Sequence, residues 1–144
     1  MSYVPTLIVN TRSVELGRGK QDSVPEAWQW LNCVYDDKWE TLAQAEEAGV
    51  RIADGTDAGF VVKHGEKAAE LEELVKSGLT PAEAIVAATR MGAACVGMDH
   101  EVGTIESGKY ADLVAVYGDP LSDIRILQDE SKIAHVLKRG EEIK

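Results

Sequence analysis

The stretch "VRIADGTDAGF", residues 50–60, decides how this chain is read. Val50 to Ala53 suit a buried strand and run directly into a knot of Asp54, Gly55, Thr56, Asp57 and Gly59. Two readings stand open. Asp and Gly dominate turns for local backbone reasons, so the knot can be a plain turn. It can equally present a metal-ligating carboxylate at the C-terminal edge of a strand.

The flanks place the knot. On its N-terminal side, "DDKWETLAQAEEAG" (36–49) reads as a helix with acidic residues in its first turn and Gly49 as its stop. Further back, "YVPTLIV" (3–9) is apolar with little polar alternation. That pattern reads as a strand buried on both faces, weakened by Pro5, which cannot donate to a ladder. Residues 10–35 have no clear period, with Gly17, Gly19 and Pro25 as breakers. Trp28, Trp30, Tyr35 and Trp39 cluster around there and are expected to pack a long loop. Strand, helix and strand in this order imply parallel pairing through a right-handed crossover.

Beyond the knot, "GEKAAELEELVKSG" (65–78) carries Ala68, Leu71, Leu74 and Val75 on one helical face, with Gly78 ending it. "LTPAEAIVAATRMGAACVG" (79–97) opens with a strong start signal. Thr80 is the expected N-cap, Pro81 the first helical residue, and Glu83 the partner in a capping box. Ile85, Ala88, Gly92 and Cys95 or Val96 form the expected buried stripe. From residue 101 the chain changes to short apolar runs between turns at 106–108 and 118–120, and "KIAHVLKRGEEIK" (132–144) reads as a strand, a turn at Gly140 and a short return.

Composition narrows the function. The chain has 144 residues, 44% hydrophobic and 28% charged, with 15 basic and 25 acidic residues and a net charge of -10. Such a balance argues against phosphate-backbone binding by Lys and Arg, so nucleic acid is not an expected partner. It equally disfavours anionic membranes, and no apolar run approaches the roughly 20 residues of a membrane span. The N-terminus lacks signal-peptide features. Cys33 and Cys95 stand far apart in no metal-like spacing, so reduced thiols in a cytoplasmic chain are expected, with a disulfide as the alternative. Only two candidate parallel strands occur in the first 98 residues. Parallel strands need neighbours and covered faces, so the missing ones are expected from another polypeptide, another copy or a larger protein.

In order along the chain, "VPTL", "GVRIADGTDAG", "HG", "LTPAEAIVAAT", "GTIESGKYADLVAVYGDPLSDI" and "VLKRG" resemble the C-terminal part of the amidohydrolase superfamily, in its imidazolonepropionase-like and prolidase (Xaa-Pro dipeptidase)-like branch. The resemblance spans nearly everything except residues 10–35. It implies an α/β fold: the last two strands of a (β/α)8 TIM barrel and their following helices, then part of a small C-terminal β-sandwich. The implied division is 1–98 for the barrel portion and 99–144 for the sandwich strands. It also implies a mononuclear or binuclear metal centre, usually zinc, that activates water to hydrolyse carbon–nitrogen bonds of a small-molecule or dipeptide-like substrate.

Within that resemblance Asp57 is the metal ligand and the base for water, and His64 a substrate-binding residue of the loop over the barrel mouth. Asp54 stands where the family carries a small or apolar residue and is read as structural. The family's first-strand His-x-His pair, its bridging lysine and its two later metal histidines have no counterpart here. His64, His100 and His135 are the three histidines, and the last two read as structural or exposed. Zinc takes three or four protein ligands. The expectation is therefore a C-terminal segment inactive alone, with two alternatives: the subunit of a split hydrolase, or a non-catalytic relic that binds or oligomerises.

Overall fold

The computed structural model describes residues 1–18, 25–59 and 61–144, with the side chains of several residues between 25 and 36, including Trp28, Trp30 and Tyr35, outside the description. The order is β1 (Ser2–Tyr3), α1 (Leu7–Gly17), α2 (Pro25–Glu47), β2 (Arg51–Ile52), α3 (Ala68–Lys76), α4 (Pro81–Val86), a π-helical turn (Ala87–Met91), α5 (Gly92–Cys95), β3 (Leu113–Val116), two 3-10 turns (Ile124–Gln128 and Glu130–Lys132), β4 (Ile133–Lys138) and β5 (Glu141–Glu142). β1 and β2 pair in parallel, Ser2 opposite Arg51 and Tyr3 opposite Ile52. The Ala53 N–H donates to the Tyr3 carbonyl (2.9 Å) and carries the ladder one step further.

The first strand is much shorter than 3–9. It ends at Tyr3, Thr6 turns left-handed (φ 50°), and Leu7 begins a helix with Leu7, Ile8 and Val14 buried. A short apolar run fits a buried strand and a buried helix equally well, and periodicity alone does not separate them. What separates them here lies 62 and 63 residues away. Glu70 in α3 accepts the Leu7 N–H at Oε1 (2.8 Å) and the Ile8 N–H at Oε2 (2.7 Å). These are N-terminal helix donors without an intrahelical acceptor, and a carboxylate there also complements the helix dipole. Glu73 adds a second tie, accepting the Thr11 hydroxyl (2.8 Å) while Lys76 donates to its other oxygen (2.9 Å).

Within the stretch 10–35, residues 10–17 and 25–35 are likewise helical rather than irregular. Gly17 ends α1, and Pro25 opens α2, suited to a first helical position because its missing N–H would have no partner there. The helix expected from residue 36 therefore starts earlier, and Trp39 packs from it against the core rather than within a loop. Gly49 (φ 68°) does terminate the segment. The main core gathers Leu7, Leu42, Ile52, Leu71, Leu74, Leu79, Ala84, Ala87 and Ile124, so a residue of the C-terminal third reaches into the α/β body. Ile8, Val62 and Ala69 form a second cluster that folds the post-β2 loop onto α1 and α3.

The capping box of α4 is complete: Thr80 Oγ1 accepts the Glu83 N–H (3.3 Å), and Glu83 Oε2 accepts the Thr80 N–H (2.8 Å). The buried stripe is met in part: Ile85 and Ala88 pack half-buried against the core. Ala84, Ala87 and Ala93 are buried, whereas Cys95 and Val96 are exposed. The π-turn at Ala87–Met91 accounts for the exposure of Cys95 and Val96, since its wider turn re-phases the side chains after it relative to an α-helical count. Cys33 and Cys95 are not joined in a disulfide.

β3, β4 and β5 form an antiparallel sheet, with Leu113 opposite Leu137 and Leu137 opposite Glu142. The β4–β5 hairpin turns through Arg139 (φ 53°) and Gly140 (φ 84°), the left-handed pair a two-residue hairpin needs. Arg139 is held there by its N–H to Asp112 Oδ1 (2.7 Å) and by its guanidinium over the Tyr110 ring (4.7 Å).

Two tests follow from this packing. Burial raises Glu70 to about 7 and Asp54 to about 6, in Glu70 against the opposing pull of its two N–H bonds. A carboxyl with a raised native pKa binds more protons folded than unfolded, so its contribution is full below about 4.5 and fades as pH climbs through about 7. Unfolding free energy should therefore fall as pH rises from about 4.5 to about 7, by an amount on the order of 3 kcal/mol from Glu70, with the melting temperature falling alongside. Glu70→Gln, which cannot ionise, should lose most of that slope; an unchanged slope refutes the assignment. Separately, a Cβ at Gly103 (φ 94°) would sit 2.7 Å from Ala93 Cβ and 3.0 Å from the Thr89 carbonyl. Gly103→Ala should lower stability by about 2–4 kcal/mol in denaturant unfolding, combining left-handed strain with overpacking.

Candidate functional site

The backbone leaving β2 is fixed on three sides. Ala53 is held by Tyr3, and the Asp54 N–H donates to the Ala87 carbonyl (3.0 Å), the first residue of the π-turn. Gly55 passes so close to Val4 that a Cβ would lie 2.6 Å from Val4 Cγ1. Only glycine permits that approach. Thr56 is buried, and Asp57 then turns left-handed (φ 49°) with its side chain exposed. Asp is among the few residues that tolerate this conformation, and backbone outliers of this kind gather at functional sites.

The two carboxylates of the knot are thereby separated in kind. Asp54 is half-buried, its Oδ1 has no hydrogen-bond partner among the described residues, and burial pushes it up to about 6 against the pull of Lys67. Asp57 faces solvent at the end of β2, beside the end of β1 where Thr6 has the same left-handed turn.

Lys38 was not foreseen from sequence. It projects from α2, and its ammonium donates to Thr6 Oγ1 (3.0 Å). Burial lowers its pKa, opposed by the carboxylates of Glu70 and Asp57, so the cation lies in the field of both. Nothing in its helical position distinguishes it from a solvent-facing lysine; only the tertiary fold brings α2 over the two strand ends.

His64 is exposed in the turn after the knot and lines a cleft of about 340 Å³ with Arg12, Lys63, Glu66, Gln128 and Glu130. Asp57 is not among the residues lining that cleft. His100 is exposed beside Glu101 (3.5 Å), and His135 pairs with Glu142 across the terminal hairpin, so both belong to the surface as expected. Among the described residues no group of three or more His, Cys, Asp or Glu could hold a metal ion. A single exposed carboxylate does not amount to a zinc site, so these residues by themselves do not fit a metal centre.

Comparison with known proteins gives this arrangement a context. The amidohydrolase family profile matches residues 17–143. Ochratoxinase of Aspergillus niger is 37% identical over 139 residues, covering 93% of this chain and 28% of that protein. Imidazolonepropionase of Symbiobacterium thermophilum is 43% identical over 63 residues, 44% of this chain and 15% of that one. Among solved structures, a Xaa-Pro dipeptidase with methionine bound in its active site superposes with a TM-score of 0.88 at 34% identity, over 100% of this chain and 34% of that one. The chain thus spans about a third or less of the length of these relatives. With a family match across nearly its whole length and a superposition that leaves none of it out, this chain belongs to the amidohydrolase family.

Proposed function

We propose that these residues are the C-terminal segment of a metal-dependent amidohydrolase that cleaves carbon–nitrogen bonds of amide or peptide-like substrates, and that the segment is inactive alone. In this reading β1 and β2 are the last two barrel strands, residues 1–98 the terminal portion of the barrel, and 99–144 the C-terminal strands of a composite sandwich. The observation that carries it is the exposed Asp57 at the end of a parallel strand, in a chain that covers about a third of its relatives. Barrel enzymes place their reacting groups at that end of the strands.

Family members are generally metal-dependent. A divalent ion, for which zinc is our choice, would supply Lewis-acid activation of water once the other ligands are present. The part of this chain is narrower. Asp57 offers a carboxylate able to ligate a cation and to accept a proton from water. His64, on the loop after it, is the proposed substrate contact. The remaining ligands come from polypeptide outside these 144 residues.

A second reading is favoured by the two-residue strands β1 and β2, whose outer edges have no strand neighbour among the described residues. Unpaired edges seek partners, so the chain can serve as the subunit of a split hydrolase or as a relic that binds or self-associates.

The test is to purify the 144-residue chain, measure bound metal and amide hydrolysis, and repeat after adding the missing barrel strands. The expected outcome is metal well below one equivalent and no turnover alone, with both restored on assembly. Asp57→Asn in the assembled protein should lower kcat/KM by about 10²–10⁴-fold. Stoichiometric metal with turnover by the isolated chain contradicts the reading. An assembly indifferent to Asp57→Asn favours the relic.

A further inference from the structure

We propose that the cleft between the start of β2, the π-turn and the loop 99–109 binds a small organic phosphate, with Arg51 and Arg90 holding its phosphate group. This site is separate from the strand end that carries Asp57. Arg51 is the first residue of β2, Asp57 lies beyond its last, and no residue of 54–59 lines the cleft. The inference therefore does not depend on the hydrolytic reading.

The walls come from three distant parts of the sequence. Arg51 opens β2, Arg90 belongs to the π-turn, and Thr104 and Lys109 come from the loop that follows α5. The cavity they line measures about 490 Å³, within the roughly 300–1,000 Å³ of small-molecule sites. Backbone contacts fix its shape. A Cβ at Gly103 would lie 3.2 Å from Arg90 Cα, so the loop is pressed onto the π-turn. The Tyr110 N–H donates to the Glu101 carbonyl (2.8 Å) and closes the loop.

The cations of the cleft differ in commitment. Lys109 is engaged, donating to Thr104 Oγ1 and pairing with Glu106 (3.5 Å). Glu106 is held below the usual carboxylate range first by the Thr104 hydroxyl and then by Lys109, with Arg90 a lesser influence. Among the described residues neither Arg51 nor Arg90 makes a hydrogen bond or an ion pair, whereas Arg12 is tied to Glu15 (3.0 Å) and Arg125 to Asp123 (2.8 Å). Two such guanidiniums on one cavity run against the net charge of -10. Asp99 opposes them from the rim, but it is exposed, where water and salt screen its repulsion.

A guanidinium presents its donors in a planar fork that grips phosphate oxygens two at a time. Two forks balance a dianion, and a lone carboxylate would leave one of them unanswered. That argument also weighs against the competing occupant, an acidic side chain of polypeptide outside these 144 residues. Met91, Ala94 and Val102 add an apolar wall, against which the organic body of the ligand packs. Inorganic phosphate would leave that wall unused.

The test titrates the ¹⁵N-labelled 144-residue chain with phenyl phosphate, inorganic phosphate and benzoate at constant ionic strength. Phenyl phosphate should give saturable shifts at the amides of Arg51, Arg90 and Thr104, with the other two compounds weaker by about 10-fold. Arg51→Met and Arg90→Met should each weaken phenyl phosphate by about 10- to 100-fold, the loss expected for hydrogen bonds to a charged group. Arg12→Met, outside the cleft, should leave its affinity unchanged. Amide spectra of the variants that match the parent away from the substituted position show that they are folded. The inference is overturned by an absence of saturation, by affinity unchanged in both cleft variants, or by benzoate or inorganic phosphate binding as tightly as phenyl phosphate. Binding that disappears once the missing barrel strands are added also overturns it, because the added polypeptide then fills the cleft.

Discussion

Two hydrogen bonds to one buried carboxylate hold this fold in register. Glu70, fully buried, accepts the N–H groups of Leu7 and Ile8 and so starts α1 against α3. An apolar run that would serve as a strand is thereby turned into a helix immediately after Thr6. That turn leaves the end of β1 beside the end of β2, with Lys38 bridging to Thr6. It also places Ile8 against Val62 and Ala69, which draws the loop after Asp57 back onto the helices. Burying the carboxylate is costly, as its raised pKa records, and two short bonds at a helix N-terminus are what offset that cost.

The same economy shapes the knot at the end of β2. Its backbone is engaged by Tyr3 and Ala87, and Gly55 is pressed against Val4. The π-turn matters because Ala87, whose carbonyl receives the Asp54 N–H, is its first residue. Asp54 is half-buried behind that backbone, whereas the side chain of Asp57 faces solvent. A rigid backbone presenting one unencumbered carboxylate is suited to contributing a ligand to a site assembled from several strands. Family membership and a span of about a third of its relatives agree with that partial role.

What could be read in the sequence was what local chemistry writes there. Thr80, Pro81 and Glu83 announce the start of α4, Gly49 and Gly78 mark helix ends, and Gly140 marks the last hairpin, because caps and left-handed turns depend on residues a few positions apart. Misreadings came where distant residues decide. Nothing within residues 3–9 says that their amides will meet a carboxylate at position 70, and Glu70 and Glu73 look in sequence like the solvent face of α3. The stripe expected from Ile85 held at Ile85 and Ala88 but not at Cys95 or Val96, because a π-turn leaves no periodic signature. The exposed position of Asp57 shortly after a strand was legible, while its role is what we propose. The contact of Lys38 with Thr6 was not legible, since it arises only when α2 packs over the strand ends.

The most direct measurement is a metal-loaded structure of the assembled protein, with the ion located by its anomalous signal. An Asp57 oxygen within about 2.0–2.2 Å of the metal is the expected result for a carboxylate ligand to zinc. A complete coordination sphere that leaves Asp57 outside it would contradict the claim that this strand end supplies part of the centre.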